Sequence, residues 1–163
     1  MSRRALVRKV AVTGGVGLLF VGGLMQLVPY GWHKTNPAVT AEAPWPDAEA
    51  EAIARESCYS CHSNETDWPA YSYVAPMSWL VRRDVDRGRA VLNFSEWGEE
   101  SEADDAAEEV EEGAMPPSQY TMIHRGARLT DEEAAILIAA LEQMDDGGRG
   151  RGRGRGGDDE DGG

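Results

Sequence analysis

Nineteen consecutive residues, Val10 to Val28, carry no charge. As a helix rising ~1.5 Å per residue, such a run spans about 28 Å, close to the hydrocarbon thickness of a bilayer. Arg3, Arg4, Arg8 and Lys9 precede it and Lys34 alone follows closely, which predicts a cytoplasmic N-terminus and an extracytoplasmic remainder. Tyr30 and Trp32 stand where interfacial aromatics belong. A cleaved leader is the competing reading. However, Pro44 would follow a cut at Ala41-Glu42-Ala43, and Val39-Thr40-Ala41 lies well beyond the run. The run also exceeds a normal leader core, so a retained anchor is expected. Five glycines within it argue against a buried soluble helix.

The anchor divides the chain. Residues 1–9 read as a cytoplasmic basic segment, 10–28 as the transmembrane anchor and 29–45 as a proline-containing tether. Residues 46–146 read as one folded domain, and 147–163 as a disordered tail of Arg-Gly repeats and acids. A domain of this size buries limited apolar area, so a large apolar cofactor would add core volume. Net charge is −13, and beyond Lys9 there are 29 acids against 12 bases. That imbalance excludes nucleic acid and anionic lipid as partners of the exported part, and suits a basic docking surface or solubility in brine.

The domain is expected to be mostly α, a small helical unit behind a single N-terminal transmembrane helix. Asp47 reads as the N-cap of a helix ending at Cys58. A second helix follows Pro76 and stops near Gly88. A third is capped by Ser95 and runs to Gly113, with ten acids and no base from Glu96 to Glu112. Thr130 with Glu133 forms a capping box that opens the last helix, whose stripe is Ala134, Leu137, Ile138, Leu141 and Met144.

Cys58-Tyr59-Ser60-Cys61-His62 is C-x-x-C-H, the attachment signature of c-type haem, and these are the chain's only cysteines. Two thiols three residues apart can add to the two vinyl groups of one porphyrin, and the adjacent His62 can then ligate its iron. One covalent haem c is therefore the expected cofactor. A zinc site would need more ligands than His33 and His124 can offer, and a thioredoxin-type dithiol should begin a helix that follows a strand. Met115, stiffened by Pro116 and Pro117, is the first candidate for the sixth iron ligand, and His124 is the second. Trp68, Tyr71, Tyr73, Trp79, Phe94, Trp97 and Tyr120 read mostly as pocket wall and core. Among Arg82, Arg83, Arg87 and Arg89, one or two are candidates to pair with haem propionates, or else with the acidic helix.

These residues resemble the haem-binding-domain family of membrane-anchored, cytochrome c-like proteins. The resemblance runs through Cys58 to Pro69, Pro76 to Leu80, Gly88 to Trp97, and Met115-Pro116-Pro117 with Tyr120, His124 and Leu129. It implies covalent haem at Cys58 and Cys61 with His62 as ligand, and a cytochrome c-like helical fold. The functional expectation is electron transfer with membrane-bound or extracytoplasmic redox partners. A peroxidase-like enzyme or ligand sensor with an open distal site is the alternative.

Overall fold

The computed structural model describes residues 3–98 and 100–153. The structure is helical. Among the described residues, extended pairing is limited to one isolated parallel bridge between Ala41 and Glu96. The chain forms two compact units. One comprises the chain through Thr35 together with Trp68–Arg83; the other comprises Asn36–Asp67 and the chain from Asp84 onward.

In the first unit, α1 (Arg3–Met25) exposes its apolar side chains all round, and Leu6–Met25 is long and apolar enough to cross a membrane. A short 3-10 turn at Ala70–Tyr73 leads into α4 (Met77–Val91), whose first half belongs to this unit.

The second unit is built on α2 (Ala48–Ser57), the single turn α3 (Tyr59–His62), the second half of α4, α5 (Ala103–Glu111), α6 (Ser118–Ile123) and α7 (Asp131–Arg153). Asp47 caps α2 as expected, its carboxylate accepting the N–H groups of Glu49 and Ala50 at 2.9 Å. The capping box also forms: Glu133 N–H donates to the Thr130 hydroxyl oxygen, while the Glu133 carboxylate accepts the Thr130 N–H at 2.8 Å. Leu137, Leu141 and Met144 of α7 pack with Ala103, Ala107 and Val110 of α5. The small side chains of α5 let the two helices approach closely and leave its acids on the opposite face.

Four boundaries differ from the sequence reading. Residues 36–45 are part of the second unit, not a free tether. Ala43 is buried and its N–H donates to Phe94 O at 2.8 Å, while Trp97 N–H donates to Ala41 O at 2.9 Å. Prolines favour extended backbone, and extended backbone is what this pairing uses. Ser95 caps no helix, because its buried hydroxyl accepts the Asn64 N–H, and α5 begins only at Ala103. Helix α4 continues past Gly88 to Val91. Finally, α7 runs on through Gly147 to Arg153, since adding turns to a helix already nucleated by packing costs little. The tail beyond Arg153 lies outside the described residues.

Candidate haem-attachment site

Helix α2 terminates at Cys58, whose N–H still donates to Ala54 O at 2.8 Å. The carbonyl of Cys58 then accepts the N–H groups of both Cys61 and His62 at 3.0 Å. This closes α3 as one tight turn, and it makes the C-x-x-C-H spacing a local structure. Both thiols are free. Burial raises the Cys58 thiol to about 12 and the Cys61 thiol to about 11. They are thus uncharged at neutral pH, unlike a redox dithiol, whose nucleophile is an acidified thiolate.

The ring of His62 is largely buried, and its Nδ1 lies 3.1 Å from the carbonyl oxygen of Leu92 on the segment following α4. A carbonyl only accepts, so Nδ1 carries the proton and Nε2 keeps its lone pair. Burial lowers the imidazole's pKa, against the pull of the Leu92 and Gly88 carbonyls, and so favours the neutral ring. Gly88 makes the approach of α4 possible: a Cβ there would stand 2.5 Å from Cys61 O.

Below the turn, Phe94 stacks on Tyr59 with centroids 5.3 Å apart and on Trp97 at 6.1 Å, and Trp45 meets it at 5.1 Å. The Trp45 indole N–H donates to the Tyr59 hydroxyl, which donates to Glu42. Behind His62 a polar network holds the segment that leaves α3, residues 63–66. Arg89 donates to Ser63 O at 2.7 Å and to the Thr66 hydroxyl at 2.9 Å, and Asn64 bonds Ala38 O, Glu96 and Asn93. Ser63 is fully buried and Asn64 is 2% exposed.

Of the arginine cluster, Arg89 serves this network and Arg82 donates to His33 O. Tyr73, expected in the core, is 62% exposed. Leu92 and Gly88 carry no site chemistry of their own and enter the sequence reading of the site only within the Gly88 to Trp97 block of the resemblance. Only the i, i+4 relation of Gly88 and Leu92 at the end of a helix offered a signal.

On the other flank, the Tyr120 hydroxyl lies beside Ser60, and its ring stacks on His124 with centroids 4.4 Å apart. Helix α6 therefore lies against the C-x-x-C-H turn. Met115 precedes it, in the loop closing α5, with its N–H donating to Glu109 O and its side chain 37% exposed.

The residues fit a haem. Two neighbouring free thiols are followed directly by a neutral imidazole whose Nδ1–H is taken up by Leu92 O, leaving Nε2 available. Among the described residues, no three His, Cys, Asp or Glu side chains group as a metal site. A porphyrin removes that need, because it supplies the four equatorial iron ligands itself.

Comparison with known proteins agrees. The haem-binding domain family matches residues 20–143. Cytochrome c peroxidase Ccp of Escherichia coli (strain K12) is 26% identical over 156 residues, covering 85% of this chain and 33% of the relative. The chain thus spans about a third of the length of that curated relative. No solved structure matches. The chain belongs to the haem-binding domain family.

Proposed function

We propose that the chain is a membrane-anchored, single-haem c-type cytochrome that carries electrons on the extracytoplasmic side. Cys58 and Cys61 hold the haem through two thioethers, each formed by adding S–H across a vinyl group, a step that needs no external oxidant. His62 Nε2 is the proximal ligand. Met115 is the sixth ligand, with His124 second in line. The bound group supplies a one-electron iron couple. The observation that carries this reading is the hydrogen bond from His62 Nδ1 to Leu92 O, which orients the ring and raises the basicity of Nε2. The buried rings of Tyr59 and Phe94, stacked with the partly buried Trp97, would give the haem an apolar backing on the His62 side. Its partners are membrane-bound or extracytoplasmic redox proteins, with basic surfaces to meet the acidic second unit.

A second reading is favoured by the relative whose name is cytochrome c peroxidase. In it the distal position is open and His124 serves as an acid/base group. One preparation tests both readings: the full chain, made with the c-type maturation apparatus. A c-type pyridine haemochrome spectrum with low-spin iron supports the electron carrier. High-spin iron that binds carbon monoxide and turns over peroxide supports the enzyme. A chain that takes up no covalent haem overturns both.

A further inference from the structure

The sequence average conceals a sharp segregation of charge. The first unit holds seven basic residues and no acid, whereas all 29 acids of the chain fall in the second. Trp68–Arg83 belongs to the first unit although it lies far from α1 in sequence, and the structure shows what ties it there. Gln26, one residue past the end of α1, uses its side-chain amide as a substitute peptide. Its Nε2 donates to Ala75 O at 3.1 Å and its Oε1 accepts the Ala75 N–H at 3.0 Å, while Nε2 also donates to Gly22 O. Gln26 lies inside the uncharged run, where an unpaired amide would be costly, and the Ala75 peptide satisfies it.

Two further contacts hold the same segment. Gly31, at φ +86°, brings its backbone so near Ser78 that a Cβ would lie 2.7 Å from Ser78 O. Lys34 Nζ sits 4.4 Å from the Tyr73 ring centroid. The Ala75 peptide is therefore held at the level of the last turn of the spanning run. Around it Tyr73, Val74 and Leu80 are 62%, 57% and 45% exposed, alongside Trp32 at 57%. Lys34 and Arg82 are close enough to repel, and that repulsion, after burial, lowers the Lys34 pKa. An apolar and aromatic rim beside the Lys34 charge, in a unit whose residues include no acid, fits an anionic headgroup layer, not water.

We propose that Tyr73–Leu80 is a second membrane contact, seated in the headgroup layer of an anionic phospholipid bilayer beside the exit of α1. The inference rests on the reading of α1 as a membrane span. It also revises the exclusion of anionic lipid, which holds for the acidic unit but not for this segment.

The test uses the full chain in nanodiscs of phosphatidylcholine mixed with phosphatidylglycerol and a photoactivatable phospholipid, with cross-linked peptides mapped by mass spectrometry. Cross-links are expected within residues 71–80 as well as within α1. In the Val74→Asp, Leu80→Asp variant those at 71–80 should fall about tenfold, through lost apolar contact and added repulsion, with α1 labelling unchanged. Both substituted side chains are exposed, so the fold should tolerate the change. Cross-links in α1 with none at 71–80, or an unchanged yield in the variant, would overturn the second contact while leaving the anchor intact. Absence of label in α1 itself would overturn the anchor, and the inference with it.

Discussion

A Cβ placed on Gly88 would stand 2.5 Å from the carbonyl oxygen of Cys61, a backbone atom that cannot swing aside. Gly88 therefore sets how closely α4 crosses the C-x-x-C-H turn, and the Leu92 carbonyl, one helical turn on, accepts the hydrogen bond of His62 Nδ1 from that position. In an open helix, Gly→Ala gains about 1 kcal/mol of helix propensity. Here the clash exceeds that gain, and Gly88→Ala should destabilise the apo domain by about 1–3 kcal/mol. Denaturant midpoints of the two proteins check the sign. A more stable variant would show that the crossing is looser than described.

Replacing both thiols, Cys58→Ala with Cys61→Ala, should leave no haem on the chain in a denaturing gel. His62 and its Leu92 contact remain, so the variant tests attachment separately from ligation. Haem that still migrates with the protein would contradict attachment through these cysteines.

Met115→Ala should turn low-spin iron into high-spin or water-ligated iron and lower the reduction potential, because a thioether favours Fe(II). His124 stacks on Tyr120, whose hydroxyl lies beside Ser60, so His124 stands near the C-x-x-C-H turn by a separate route. His124→Ala should leave the spin state unchanged. If the two variants behave the other way round, the axial pair is His/His.

Glu133 is held below its ordinary value of 4.5 by accepting the Thr130 N–H and hydroxyl. A depressed folded pKa adds stability that is present above the unfolded value and lost as pH falls through the folded one. Glu133→Gln should therefore reduce the loss of stability between neutral and acid pH, measured as the shift of the thermal midpoint. An unchanged acid shift would mean that the capping box contributes nothing to it.

A protease-sensitive tag at the N-terminus should be protected in intact cells, while one placed after α7, beyond Arg153, should be cut. Four basic residues precede the uncharged run, and none of the chain's acids do. The reverse pattern would remove the extracytoplasmic setting on which c-type attachment depends.

Much of the site was legible because its parts are contiguous. Asp47 caps α2, and Cys58 to His62 close one turn with their own backbone. Thr130 and Glu133 likewise lie within a turn of each other. Such features depend on spacing and on hydrogen bonds a few residues long, so they survive whatever the rest of the chain does. The acidic stretch misled for the same reason: Ser95 has a good capping side chain, but a distant partner, the Asn64 N–H, claimed it.

The sequence alone therefore determined the C-x-x-C-H run of Cys58, Cys61 and His62, the apolar run of α1 and the start points of α2 and α7. Tertiary structure decided which carbonyl takes the His62 proton and that residues 36–45 join the second unit. It also decided that the acid-free segment Trp68–Arg83 belongs with α1. Those outcomes rest on pairings thirty or more residues apart, such as His62 with Leu92 and Gln26 with Ala75. Each forms only when the packing of many other groups has already offset the entropy of closing the loop between its partners, a balance that no local stretch of residues contains.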